Sequence, residues 1–429
     1  MNFFRREVFV STFNVELKRV VDDSYEIEIG RSLAGRLADD LRAGLIPGRR
    51  RFALITDSTV ESLFAPDIRD RLLSAGFEGE IFSFPAGEPS KTRETKSALE
   101  DRMLAAGYRR DCFVLAVGGG VVSDLAGFLA GTYARGVPFI NYATTLLAAA
   151  DASVGGKTAV DTPLATNLIG LFHQPRKVYI DIDAWRTLPP RQISSGLAET
   201  VKHALLAETL RPAGRSDLSG RSDLSGRSDL PGPAGRSDLS GCSDLPGPAA
   251  PADRAFFEYL EEHMEAIRNH DPSACEWIAR QNCSVKYQVV MKDERETGLR
   301  EILNLGHTVG RAVETESAYR LTHGEAVSIG LAAACALSVR LGYMTEQEAA
   351  RVRRLLARAG LPAGIPAYVD REALLRRLYT DKKVRNGRLR FVLPQGIGAV
   401  VEFSPGVFAR EISEETAREI LLALPEENP

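Results

Sequence analysis

Two of the six histidines in this 429-residue sequence stand sixteen positions apart in a stretch crowded with polar residues. It reads Arg300-Glu-Ile-Leu-Asn304-Leu-Gly-His307-Thr-Val-Gly-Arg311, with Leu-Thr-His323-Gly-Glu following. Taken as one helix, Arg300, Asn304, His307 and Arg311 fall on a single stripe at i, i+4, i+7 and i+11, while Ile302, Leu303, Leu305, Val309 and Val313 point elsewhere. A stripe of that kind faces a site. Two imidazoles suggest a metal ion, and a third ligand is available upstream in Gly-Leu-Ala-Glu199-Thr-Val-Lys202-His, where carboxylate and amine lie three apart on one helical face. One glutamate with two histidines is a common catalytic zinc set with positions left open for substrate. Histidines also serve as hydrogen-bonded core or surface groups, so spacing alone leaves both readings open.

Two further segments carry residues suited to phosphates. Cys112-Phe-Val-Leu-Ala-Val-Gly118-Gly119-Gly120 is a strand entering a glycine turn, and the helix expected after it would present its N-terminal N–H groups to a dinucleotide pyrophosphate. The pattern is not GxGxxG, and such turns also arise from packing. Asp151-Ala-Ser-Val-Gly-Gly-Lys157 brackets two glycines with an acceptor for sugar hydroxyls and a cation for phosphate, or is a solvated loop with two ordinary charges. Lys286, Arg300 and the Asp381-Lys382-Lys383 turn add cations that either converge on an anionic substrate or stay at the surface. Metal ligands, a glycine turn and cations on separate segments favour one coherent site.

Those residues need scaffolding, and the hydrophobic pattern supplies it. Up to residue 185, β-branched runs at 25–29, 51–56, 80–84, 112–117 and 177–182 alternate with helical patterns near 33–41, 60–75 and 93–106, which predicts a parallel α/β sheet. Beyond residue 185 the pattern is helical, at 193–208, 254–268, 275–291, 326–341, 346–359 and 371–379. The expected organisation is an α/β Rossmann-like domain over 1–185 and a mostly α-helical domain over 186–429. A low-complexity insertion at 211–253 interrupts the second. It holds five hexapeptides beginning at Arg215, Arg221, Arg227, Arg236 and Cys242. One leucine per unit offers too little apolar surface to offset ordering the backbone, so the insertion reads as a disordered linker.

Composition narrows the class. Hydrophobic residues make up 44% of the chain, enough for two cores, and a formal charge of −3 argues against nucleic acid or a basic membrane surface as partner. Five scattered cysteines without CxxC spacing fit neither a disulfide framework nor a thiolate zinc site. The N-terminal residues lack a signal-peptide core, and no apolar run reaches the roughly 18 residues that span a bilayer. The expected location is the cytoplasm.

Taken together, the motifs resemble the 3-dehydroquinate synthase family of sugar-phosphate cyclases. The resemblance runs from about residue 51 to 397, outside the insertion. It rests on Gly-Gly-Gly-Val-Val-Ser-Asp-Leu-Ala-Gly, Thr-Thr-Leu-Leu-Ala, Asp-Ala-Ser-Val-Gly-Gly-Lys, Asn-Leu-Ile-Gly-Leu-Phe-His-Gln-Pro, Gly-Leu-Ala-Glu, Leu-Asn-Leu-Gly-His-Thr, His-Gly-Glu-Ala-Val and Asp-Lys-Lys-Val. It implies tightly held NAD and a divalent metal, zinc or cobalt, at the domain interface of a homodimer. It implies closure of 3-deoxy-D-arabino-heptulosonate 7-phosphate to 3-dehydroquinate with loss of phosphate. Carried over by position, Glu199, His307 and His323 would hold the metal. Glu88, Lys91, Gly119, Gly120, Asp124, Thr144, Thr145, Lys157 and Thr187 would surround NAD. Asp151, Lys157, Asn167, Lys202, Lys286, Arg300, Asn304 and one of Lys382 and Lys383 would face substrate, with Arg135 reaching the neighbouring subunit's site.

Two positions depart from the family pattern: Arg311 replaces a histidine and Thr166 a lysine. Both are expected to line the site. Arginine keeps a cation for phosphate but exchanges no proton near neutral pH, and threonine loses a charge. Alternatives are a cyclase of the amino-dehydroquinate, valiolone or inosose type, and an NAD- and metal-dependent polyol dehydrogenase.

Overall fold

A computed structural model describes residues 21–210, 254–379 and 389–427. The repeats, Lys382, Lys383 and Cys242 lie outside them. The N-terminal half is built on eight strands: β1 Glu26–Gly30, β2 Arg51–Asp57, β3 Glu78–Phe84, β4 Cys112–Gly118, β5 Phe139–Ala143, β6 Lys157–Thr162, β7 Ala165–Phe172 and β8 Lys177–Asp181. Six form one parallel sheet in the order β1-β8-β5-β4-β2-β3, and β6 and β7 pair as a separate antiparallel hairpin. Helices α1 Ala34–Arg42, α2 Ser58–Leu63, α3 Ala65–Ser74, α4 Arg93–Ala105 and α5 Gly120–Thr132 complete this Rossmann-like half. Strand β4 is buried along its whole length, as its unbroken apolar run requires in a sheet covered on both faces.

The C-terminal half is mostly helical: α6 Pro190–Ala204, α7 Arg254–Arg268, α8 Pro272–Lys292, α9 His307–Glu316, α10 His323–Arg340, α11 Glu346–Arg358, α12 Arg371–Leu378 and α13 Glu414–Ala423. One apolar core crosses between the halves, joining Val178 and Ile180 of β8 to Leu197 and Val201 of α6 and Val285 and Val289 of α8. Among the described residues no helix is long and apolar enough to cross a membrane. Cys112, Cys275, Cys283 and Cys335 are buried free thiols.

The structure corrects two expected helices. The stretch from Arg300 to Arg311 is not one helix: a 3-10 turn, Leu299–Asn304, ends at Leu305, and α9 begins after Gly306, whose φ of 78° lies in the left-handed region. Residues 60–75 divide into α2 and α3 at Phe64, because Pro66 in the first turn of α3 cannot donate the bond that would continue α2. Strand β5 and the β6–β7 hairpin escaped the apolar pattern. Phe139-Ile-Asn-Tyr-Ala runs directly into an alanine-rich helical segment, which blurs its period.

Candidate functional site

Between the sheet's C-terminal edge and the helical half lies a cleft of about 1210 Å³. Its floor is set by three helices. Glu199 sits in the buried middle of α6, and α10 crosses it so closely that a Cβ on Gly324 would come 2.0 Å from the Ser195 carbonyl oxygen. The Ser195 hydroxyl accepts from Gly324 N at 3.0 Å. A Thr322–Glu325 capping box starts α10, and Arg191 grips Glu325 through Nε and Nη2, both at 2.7 Å. Helix α9 packs on α10 through further small residues: a Cβ on Gly330 would come 1.8 Å from the Gly306 carbonyl oxygen. These approaches bring His307 and His323 to 5.5 Å between ring centroids.

Glu199, His307 and His323 offer one ligand atom each within 4.8 Å of one another. Glu199 Oε1 lies 3.5 Å from His307 Nε2 and 3.3 Å from His323 Nε2. An edge of a tetrahedron with metal–ligand bonds of about 2.1 Å is about 3.4 Å long, so the spacing fits a cation at the missing centre. The outer nitrogens are engaged: His307 Nδ1 is 3.1 Å from the Leu305 carbonyl and His323 Nδ1 is 3.4 Å from Glu314 Oε2. That leaves Nε2 of each ring facing the carboxylate. Both Glu199 oxygens are buried without a hydrogen bond of ordinary geometry, although Lys202 forms a close ion pair with one. Burial would raise the Glu199 carboxyl, but Lys202 and the imidazoles hold it far below the usual range. Burial alone would lower His323; Glu314 and Glu199 outweigh it and lift the imidazolium to about 10. A divalent cation at this spot would supply the same positive charge.

Beside the trio, Asp151 on a short π-helix, Ala148–Ala152, carries two lysines: Lys286 in close contact and Lys202 at 4.0 Å. Burial would raise Asp151, but the two ammonium groups pull it well below the ordinary carboxylate range. Burial lowers Lys286 to about 8, against the pull of Asp151 and with the like charges of Arg300 and Lys202 adding to it. Arg300 is 1% exposed; its Nη1 donates to the Glu294 carbonyl at 2.5 Å, Nη2 to Gly155 at 3.0 Å, and Nε has no partner among the described residues. Three of its five N–H groups thus remain for an anion. Lys157, at the start of β6, pairs closely with Glu296, whose other oxygen accepts from Asn304 Nδ2 at 2.8 Å.

The sheet-side wall holds the glycine turn. Gly119 starts α5 with no side-chain cap, so the helix opens its N–H groups to the cleft. A Cβ on Gly119 would press on Thr145 Cγ2 at 3.1 Å, and the buried Thr144 hydroxyl has no partner among the described residues. An uncapped helix, a cradle that a side chain would fill and an orphaned hydroxyl suit a dinucleotide. Lys91 anchors this wall, 2.6 Å from Asp124, 2.6 Å from Asn167 Oδ1 and 3.4 Å from Glu88. Those carboxylates overcome the burial that would lower it, and they raise it. Thr187 lines the cleft with its hydroxyl donating to the Ala184 carbonyl at 2.8 Å.

Most residues singled out in the sequence therefore border one cleft, with Glu199 and Lys202 buried just behind its surface. Asn167 lines the cleft, and its Oδ1 accepts from Lys91 Nζ on the dinucleotide side. Arg135 is exposed beyond the far end of α5, about 20 Å along the helix from Gly119, and does not line this chain's cleft. Arg311 lines the cleft and Thr166 does not, which corrects the expectation that both do. Lys382 and Lys383 fall outside the described residues. Glu296 and Glu314 were missed. Glu296 stands in a charged run, Lys292-Asp-Glu-Arg-Glu, that looks like solvated surface in the sequence, and only the fold brings its carboxylate to Lys157 and Asn304.

Two family descriptions match the chain: 3-dehydroquinate synthase N-terminal over residues 81–195 and 3-dehydroquinate synthase C-terminal over 248–384. The 3-dehydroquinate synthase of Pelotomaculum thermopropionicum is 39% identical over 393 residues, covering 91% of this chain and 92% of its own. Among solved structures, 2-epi-5-epi-valiolone synthase from Streptomyces hygroscopicus subsp. jinggangensis 5008, with NAD+ and Zn2+ bound, has a TM-score of 0.75 and 26% identity over 96% of this chain and 98% of that one. The fold is shared with 2-deoxy-scyllo-inosose synthase complexed with carbaglucose-6-phosphate, NAD+ and Co2+, at a TM-score of 0.73 and 24% identity over 92% of this chain and 95% of that one.

Proposed function

The chain belongs to the 3-dehydroquinate synthase family, and from that premise we propose that it closes 3-deoxy-D-arabino-heptulosonate 7-phosphate to 3-dehydroquinate and phosphate. The reaction is a carbon–oxygen lyase step dependent on NAD and a divalent metal, in a cytoplasmic homodimer. The reading keeps two units, 1–185 for the dinucleotide and 186–429 for metal and substrate. The observation that carries the choice of substrate is Arg300: a buried guanidinium with a partnerless Nε–H, beside Lys286, suits a carboxylate. Sedoheptulose 7-phosphate and glucose 6-phosphate have none to offer it.

The donor set fits both cofactors. Glu199, His307 and His323 would hold the metal; Gly119, Gly120, Thr144 and Thr145 would line the dinucleotide site, with Glu88, Lys91, Asp124 and Thr187 shaping its wall. When bound, NAD supplies a reversible hydride acceptor and the cation a Lewis acid, which together make the neighbouring proton acidic enough for phosphate to leave with no net redox change. The chain's own residues then orient and neutralise. Asp151 and Lys202 hold the substrate's hydroxyls, and Arg300 with Lys286 hold its carboxylate. Lys157, Asn304 and Arg311 take the phosphate, and Lys157 becomes available once the anion displaces Glu296. Arg311 moves no proton near neutral pH, so the groups at hand that can accept one are the Glu296 carboxylate and the departing phosphate itself. In the dimer, the partner's copy of Arg135 would complete the anion site.

Phosphate release from purified, zinc-loaded protein tests the substrate assignment. Turnover with heptulosonate 7-phosphate should far exceed turnover with sedoheptulose 7-phosphate, and Arg300→Ala should abolish it. Preference for sedoheptulose 7-phosphate overturns the assignment.

A further inference from the structure

We infer that Glu314 is a positioning residue of the metal centre, holding His323 from behind so that its Nε2 is presented to the cation. The inference rests on the metal reading of Glu199, His307 and His323. Helix α9 carries His307 and Glu314 seven residues apart, which places them on one face, two turns apart, toward α10. The first contributes a ligand atom, and the second reaches a ligand from the next helix: Glu314 Oε2 stands 3.4 Å from His323 Nδ1 while His323 Nε2 stands 3.3 Å from Glu199.

Among the described residues Glu314 has no other charged partner. Its side chain is 14% exposed, and among the described residues neither lysine nor arginine pairs with it. Its neighbours in similar settings are matched: Glu316 pairs with Arg377 at 2.7 Å and Glu325 with Arg191 at 2.7 Å. Arg311, one turn earlier on the same helix, leaves Glu314 alone. A largely buried carboxylate without a cation is costly unless positive charge arrives through the group it touches, and a metal-bound imidazole delivers that charge.

The two histidines are thus supported unequally. His307 Nδ1 meets the Leu305 backbone carbonyl, which no substitution removes, whereas His323 depends on a side chain.

Metal-stripped wild type, Glu314→Ala, Glu314→Gln and Glu316→Gln would be titrated with Zn2+ against a chelator of known affinity, and loaded with Co2+ for its absorption spectrum. Glu314→Ala should bind Zn2+ roughly 10- to 100-fold more weakly. Glu314→Gln should fall between, because its amide oxygen still accepts from Nδ1–H, and both variants should shift the cobalt spectrum. Glu316→Gln should lower the thermal midpoint and leave metal affinity unchanged. If Glu314→Ala does not fold, the glutamine variant decides. Wild-type affinity with an unchanged cobalt spectrum in the Glu314 variants overturns the inference alone, as does an equal loss in Glu316→Gln, which would mark general weakening of α9. A wild-type chain that takes up no cation overturns the metal centre and this inference with it.

Discussion

Asp151 faces two lysines with one negative charge, and the three groups cannot all be well matched. Lys202 also has Glu199, so the lysine left short is Lys286, which burial and Arg300 depress to about 8. Its ammonium is present below that pH and lost above it. If Lys286 holds the substrate carboxylate, KM should climb as pH rises through about 8 while kcat changes less. In Lys286→Arg that alkaline limb should vanish, because a guanidinium does not titrate there; a limb that persists would assign it to another group. Glu296 yields a second expectation. It occupies Lys157 and Asn304 as an anionic ligand would, and the ammonium is 45% exposed, so displacing it should cost no more than about 1 kcal/mol. Glu296→Gln should therefore bind inorganic phosphate about two- to fivefold more tightly by calorimetry, even if turnover falls. Weaker binding would mean that Glu296 helps build the site instead of filling it. Residue types told most of this in advance: two histidines, a Glu-x-x-Lys pair and a lysine beside glycines are scarce enough to be noticed. Charge partners were not legible, because Glu296 and Glu314 look like any exposed carboxylate until the chain folds.

At the scale of elements, the site depends on a break in a helix. The polar stripe from Arg300 to Arg311 was real as a set of residues and wrong as a continuous helix. Gly306 turns the chain left-handed so that Arg300 and Asn304 leave one short turn while His307 opens another. A hydrophobic period cannot reveal this, since Leu305 and Val309 suit either geometry. A single glycine could have been a helix interior or a cap. Gly306→Ala would place a Cβ 2.9 Å from Leu331 Cδ2 at a φ of 78°. Denaturant unfolding should report a loss of about 1–3 kcal/mol, with weaker metal retention because His307 moves. Wild-type stability would show that the break is not needed. Buried sheet strands, by contrast, were readable wherever the run stood apart from its neighbours, as Cys112-Phe-Val-Leu-Ala-Val does between Asp111 and the glycines.

Across the whole molecule, the three metal-binding candidates come from α6, α9 and α10, and the core that seats α6 continues into β8 and the rest of the sheet. The two halves recognised in the sequence are coupled through that core, a feature that periodicity within each segment does not carry. The repeats enter after Leu210, downstream of the helix that carries Glu199 and Lys202, and end before α7. Deleting 214–250 should leave kcat/KM unchanged and alter stability by less than about 2 kcal/mol, because loop closure depends only logarithmically on length. A large fall in turnover would tie the repeats to the site. The central claim is that this cleft performs a redox-neutral cyclisation. One reaction mixture tests it: zinc- and NAD-loaded protein with heptulosonate 7-phosphate, followed for phosphate and for absorbance at the NADH band. The account predicts one phosphate released per substrate consumed with no lasting NADH. NADH accumulating in step with substrate loss, without phosphate, would contradict it.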